Sequence, residues 1–380
     1  MRRKRTIAIW ILAAAGFAGL QARAAEDGFI PLFNGKDLAG WAPVGTPEAF
    51  TVREGAIYST GAPPYPSWLR TVNEYENFVF RFEYKTPGWY EGGVLFHAPL
   101  RGPASKLGFK LHLRHDKKPY GARSPGAIYD VAAPLAFPGR PPGEWNECEV
   151  EVNWPRLRVR LNGMLIHDID MSAEEALKYR LRRGYIGIQN IGGRAYFRNL
   201  RIKPLPDGGE QWTNLLAKGI GGFETHGDAV WAVRHDTLIG AGNNGVAVTK
   251  QTFEGPFELQ VWVKTIVNGN GGVLFYHDGK KGVEVQCFNT PDSTNPTGSI
   301  YGIAPAARVA ARDEEWYLMQ IFADGPRAMV LVNGEKVAET RALKPPYEGR
   351  IGFQLHTPAS VIHYRGARIR NASDVFSRGG

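Results

Sequence analysis

Cysteine is scarce: Cys148 and Cys287 are the only two in 380 residues. Each falls in a different half of the chain, so neither half carries an internal disulfide. They are read as two buried thiols acting as small apolar groups, with stability left to core burial. Helix signal is equally thin. Ser172-Ala173-Glu174-Glu175-Ala176-Leu177 is one short candidate, with Ser172 as its cap. Beyond the N-terminal segment no apolar run is long enough to cross a bilayer. The G-x-S-x-G elbow, the P-loop and H-E-x-x-H are all missing. No strand carries the E-x-D-x-E ladder used by many sandwich-fold retaining glycosidases, which argues against ordinary two-carboxylate hydrolysis. The histidines are scattered without metal-ligand spacing, so no metal site is expected, and no cofactor is indicated either way.

The charge balance also thins on inspection. The formal net charge is +9, but Arg2, Arg3, Lys4, Arg5 and Arg23 lie in residues 1–24, which hold no acid, so the remainder carries +4. That is no nucleic-acid footprint. Residues 1–24 run from a basic stretch through Ile7–Leu12 and an Ala/Gly-rich run to Ala22-Arg23-Ala24. Basic, apolar, then A-x-A is the secretory signal pattern, and export to the periplasm is the expectation.

What the chain does have is an internal repeat. Gly92-Gly93-Val94-Leu95-Phe96 returns as Gly271-Gly272-Val273-Leu274-Phe275, and Ile128-Tyr129 as Ile300-Tyr301. Glu144-Trp145 returns as Glu315-Trp316, and Leu161-Asn162-Gly163 as Val332-Asn333-Gly334. Gly184-Tyr185-Ile186-Gly187-Ile188-Gln189 returns as Gly349-Arg350-Ile351-Gly352-Phe353-Gln354. Matches in one order at this spacing mean a duplicated domain rather than a solenoid. The Pro/Gly-rich run Pro204–Gly209 marks the join. The expected organisation is a signal (1–24), a first domain (25–205), a linker (206–210) and a second domain (211–380).

Each copy reads as β almost throughout. Phe78–Lys85, Phe109–Arg114, Cys148–Val152, Phe257–Lys264 and Gly282–Phe288 alternate apolar and polar residues, the period of a half-buried strand. Leu157–Ile166 predicts a hairpin turning at Asn162-Gly163. Many short strands with Gly/Pro turns predict an all-β sandwich or jelly roll. Trp145 and Trp316 are expected to fill the cores between sheets.

Alternation also sorts candidate site residues by face. Lys110, His112 and Arg114 project together, with His97 ending the neighbouring strand. Glu284 and Gln286 project together in the second copy, and Gln260, Trp262 and Lys264 share a face of their strand. Tyr276-His277 ends the next strand, and Tyr129 and Tyr301 follow Gly-containing turns from which a phenol can reach a pocket or close a core edge. Arg81, Glu83 and Lys85 read as a solvated face without function.

Leu32-Phe33-Asn34-Gly35-Lys36-Asp37-Leu38-Ala39-Gly40-Trp41 resembles the opening of the 3-keto-disaccharide hydrolase domain family, also described as 3-keto-glucoside-1,2-lyase/3-keto-2-hydroxy-glucal hydratase. Gly126-Ala127-Ile128-Tyr129, Gly143-Glu144-Trp145-Asn146 and Phe197-Arg198-Asn199-Leu200 resemble its later landmarks. The resemblance covers residues 29–205 and, more faintly, 211–371. It implies two concanavalin-like jelly rolls, export, and action on an oligosaccharide or glycoside already oxidised at C3. The family's Gly-aromatic-Glu-x-Gln strand survives in the second copy as Gly282-Val283-Glu284-Val285-Gln286. The first copy has Gly108-Phe109-Lys110-Leu111-His112 instead, so one copy is catalytic and the other binds sugar or supports the fold. Glu284 is the expected base or proton shuttle, with Gln286 and Tyr301 as its hydrogen-bonding partners and Lys110 and His112 as the fallback set; Trp262, Tyr276, His277, His97, Lys110, His112 and Tyr129 are the substrate-binding candidates. A non-catalytic, lectin-like carbohydrate-binding protein is the competing reading.

Overall fold

The strand Phe78–Lys85 buries every second residue: Phe78, Phe80, Phe82 and Tyr84 face a core, while the residues between them stay half-covered. Strands of this kind pair throughout the computed structural model, which describes residues 28–116, 118–208, 211–266, 269–290 and 292–373. The signal segment 1–24 lies outside the described residues.

In the first half, seven strands pair in the order Met164–Asp170, Arg156–Leu161, Asn146–Asn153, Phe78–Lys85, Ala195–Pro204, Ala56–Ser59 and Phe50–Arg53, with Ile30–Pro31 added beside Ala195–Pro204. A second sheet of five strands runs Trp41–Val44, Ser67–Tyr75, Gly184–Gly193, Tyr90–Ala98 and Phe109–Arg114. The second half repeats the plan. Its larger sheet is Val230–Arg234, Thr237–Gly242, Ser360–Asn371, Phe257–Thr265, Tyr317–Asp324, Arg327–Val332 and Glu335–Thr340, with Thr213–Asn214 added beside Ser360–Asn371. Its five-stranded sheet is Phe223–Gly227, Gly245–Glu254, Glu348–Leu355, Gly271–His277 and Val283–Cys287. One core draws on residues from Phe33 to Ile202, the other on residues from Leu215 to Ile369. These are two all-β jelly-roll sandwiches in tandem.

The hairpin at Asn162-Gly163 forms as the sequence predicts. Asn162 and Gly163 take φ of 48° and 81°, and Asn333 and Gly334 take 52° and 77°, so each pair makes the left-handed turn that matches strand twist. Cys148 and Cys287 are unbridged and buried, one in each core. Burial pushes the Cys287 thiol up to about 12, so it is apolar filling rather than a nucleophile.

Two expectations are corrected. Ser172–Leu177 is not a helix but a run of turns. Asp170 Oδ1 accepts from both the backbone N–H and the hydroxyl of Ser172, which takes the serine out of any capping role. Among the described residues the one α-helix is Ala104–Leu107. Trp145 and Trp316 are also outside the cores. Each is half-buried and stacks with cations, Trp145 under Lys85 and Arg198, Trp316 under Arg101 and Lys264.

The domains touch through the outer face of the second domain's larger sheet. Tyr179 packs on Phe322, Met329 and Leu331, while Leu107 and Leu181 meet Leu318. Under this cover lies a buried ionic group. Arg370 meets the Glu258 carboxylate at 2.6 Å. Gln260 Nε2 and Gln320 Nε2 donate to the same carboxylate at 2.5 and 3.1 Å, and Gln320 Nε2 also reaches the Tyr179 carbonyl at 3.0 Å.

Candidate active site

The strand Val283–Cys287 pairs with Gly271–His277 so that Val273 faces Val285, Leu274 faces Glu284 and Gly272 faces Gln286. Val285 and Cys287 fill the core, which sends Glu284 and Gln286 to the opposite face. The Glu284 side chain lies across Gly272, where a Cβ would come within 2.6 Å of its Oε1. The second glycine of the repeated Gly-Gly motif is therefore clearance for this carboxyl. Among the described residues none donates to it or pairs with it, and desolvation pushes it up to about 7.

Glu284 stands between two clefts. One, of about 220 Å³, is lined by Asn270, Gln286, Asn295, Tyr301 and His356 as well as Glu284. Gln286 Nε2 donates to Asn270 Oδ1 at 2.6 Å, which ties the two amides together in the cleft wall. The Tyr301 N–H donates to the Glu284 carbonyl at 2.9 Å, so the segment leading to Tyr301 is laced onto the site strand. The other cleft, of about 380 Å³, brings His226, Asn244, His277, Lys280 and Lys281 to the opposite flank of Glu284. His277 Nδ1 accepts from the Gly279 N–H at 3.0 Å, so the neutral ring carries its proton on Nε2. Burial lowers the pKa of this histidine and keeps it neutral.

The first copy places Lys110 at the position of Glu284 and His112 at that of Gln286: Leu95 faces Lys110 and Gly93 faces His112. Lys110, His112 and Tyr129 do come together, but they occupy one another. The Lys110 ammonium sits 4.5 Å over the Tyr129 ring and is pushed down to about 8 by burial. His112 Nδ1 lies 2.9 Å from the Arg123 carbonyl, its ring stands edge-on to Tyr129, and burial pushes it down to about 3. Both side chains are buried, so this face is closed.

His97 does not join them. At φ 51° the chain bulges and turns the ring edge-on to Phe78 and Phe109. There its nitrogens meet the Glu76 and Leu181 carbonyls at 2.6 and 3.0 Å, and burial pushes it down to about 4. Tyr276 occupies the matching bulge at φ 52° and packs into the core against Phe257 and Phe275. Trp262 is on the other sheet, against the first domain at Gly102 and Leu107, and not beside Glu284. Of the second-copy candidates, the structure thus gathers Glu284, Gln286, Tyr301 and His277. It adds Asn270, Asn295, His356, His226, Lys280 and Lys281, which alternation alone does not mark. Lys280-Lys281, directly ahead of the site strand, carried the most visible signal. Among the described residues no three His, Cys, Asp or Glu side chains converge as a metal set.

Paired five- and eight-stranded sheets, with one desolvated carboxyl on the smaller sheet of the second copy, define a tandem concanavalin-like jelly-roll protein. The chain belongs to the 3-keto-alpha-glucoside-1,2-lyase-like domain family, whose model matches residues 28–203 and again 210–370. A 3-keto-disaccharide hydrolase of Bacteroides thetaiotaomicron is 22% identical over 254 residues, spanning 51% of this chain and 84% of that protein. A crystal structure of a candidate glycosyl hydrolase from Parabacteroides distasonis is 25% identical with a TM-score of 0.42, covering 47% of this chain and 94% of that one. A carbohydrate-binding module from Bacillus subtilis is 14% identical with a TM-score of 0.33, covering 42% and 95%.

Proposed function

We propose that this chain is an exported, periplasmic enzyme that cleaves 3-keto-glycosides by elimination and hydration, and that its second copy is the catalytic one. The carrying observation is the Glu284 carboxyl, unpartnered, desolvated to about 7 and set between two polar clefts. A ketone at C3 acidifies the C2 proton. Glu284 takes that proton, and the C–H electron pair moves through the enolate, whose oxygen needs a hydrogen-bond donor such as the Tyr301 hydroxyl. The ketone re-forms as a C1–C2 double bond appears and the C1–O pair leaves with the aglycone oxygen. The proton held on Glu284 passes to that oxygen. In the second half Glu284 takes a proton from water, hydroxyl adds at C1, and C2 recovers its proton. The net change is hydrolysis, with Glu284 returned to its starting form. A carboxyl with a value near 7 suits a group that must both accept and release a proton. The first copy, whose equivalent face is closed by Lys110, His112 and Tyr129, serves the fold.

The test is aglycone release from a chromogenic 3-keto-glucoside beside the unoxidised glucoside. Release from the keto substrate alone is expected. Because Glu284 must start ionised, kcat/KM should rise with pH through about 7. Equal release from both sugars would rule out the elimination route. Binding without release would favour the lectin-like reading.

A further inference from the structure

The cleft of about 470 Å³ between the two sandwiches takes no part in that chemistry. Arg101, Arg183 and Tyr185 reach it from the first domain, and Trp262, Arg365 and Arg368 from the second. Four guanidinium groups thus face two lining carboxylates, Glu74 and Asp236. Arg368 is already held: it donates twice to Gln260 Oε1, at 2.8 and 3.0 Å, and stacks on Trp212. Arg183 lies 3.9 Å from Glu74 and 3.6 Å from Asp207.

Arg101 and Arg365 are different. Among the described residues no carboxylate comes within ion-pair reach of either. Arg101 stacks 5.6 Å over the Trp316 ring, and burial, and then the charge of Arg365, hold it below the usual arginine range. Two like charges without an ion pair, among four guanidinium groups and two carboxylates in a partly enclosed cleft, create a positive field that an anion relieves. The planar fork of arginine matches a carboxylate with two parallel bonds. Trp262, half-buried on the same wall above Leu318, supplies a flat apolar surface for the C–H face of a ring.

We propose that the interdomain cleft binds a saccharide bearing a carboxylate, with the carboxylate between Arg101 and Arg365 and the sugar ring against Trp262. Arginine charge sets the acidic group, and membership of a sugar-acting family sets the ring. Such a site would tether acidic glycans at the domain junction, away from Glu284.

Calorimetric titration of the mature chain with cellobiouronic acid, beside cellobiose, tests this. Neither sugar is oxidised at C3, so the result does not depend on the catalytic reading. The acidic disaccharide should bind and the neutral one should bind on the order of tenfold more weakly or not at all. Arg365→Gln and Arg101→Gln should each weaken the acidic ligand by about the same factor, with melting curves confirming that both fold. Equal binding of the two sugars, or affinity unchanged in both variants, overturns the proposal. Displacement by inorganic sulfate at the same concentration overturns its saccharide part.

Discussion

Glu284→Gln should lower turnover of a 3-keto-glucoside by a factor of about 10² to 10⁴, the span that a positioned general base contributes. The substitution keeps the shape that Gly272 accommodates, so the strand pairing and both clefts persist. It removes the proton acceptor and nothing else. The affected quantity should be kcat, because the amide still fills the ground-state contacts, while KM changes little. Loss of activity through misfolding would instead appear in the melting curve. Single-turnover rates on the keto substrate make the measurement, and a variant retaining half the wild-type rate would remove Glu284 from the mechanism.

Arg370→Ala should destabilise the second domain by about 3 kcal/mol, read as a fall in Tm on the order of 10 °C. Arg370 and Glu258 are each only 4% exposed, so deleting the cation strands a carboxylate in a site sealed by Tyr179 and the sheet. Gln260 and Gln320 still donate to it, and Arg368 stays near, which places the loss at the low end for a broken buried pair. The double change Glu258→Leu/Arg370→Met should recover part of the stability, since an apolar pair carries no charge to desolvate while the Gln260 and Gln320 amides lose their carboxylate acceptor. A single variant that melts like the parent would show that water reaches this group.

Alternation made the strands legible because each sheet has one face in a core, and a strand such as Phe78–Lys85 must then obey a period of two. It also placed Glu284 and Gln286 on one face, opposite Val285 and Cys287. What it misjudged came from longer range. The Lys110–His112 face reads as open, yet Tyr129 and Arg123 fold back over it from a later segment. His97 and Tyr276 have the wrong parity because a left-handed residue inverts the alternation at each bulge, and nothing local announces it. Trp262 lies on the face that alternation gives it, but that face meets the other domain and the cleft beside it rather than Glu284. Alternation marks only Glu284 and His277 of the second cleft, because His226, Asn244 and Lys281 come from separate strands and turns that only the assembled sheet brings together.

The desolvation of Glu284 reaches beyond the reaction into the folding equilibrium. A carboxyl that titrates at about 7 in the folded chain and at its ordinary 4.5 once unfolded is protonated more readily by the native state. Its contribution is therefore fully favourable below about pH 4.5 and is lost as pH rises through about 7. That gap, at about 1.4 kcal/mol per pH unit, bounds the loss at roughly 3 kcal/mol. The same proton affinity that the proposed shuttle needs makes the ionised protein the less stable one. Glu284→Gln should accordingly melt like the parent near pH 4 and above it near pH 8, the signature of a scaffold that holds its reactive group against its own stability.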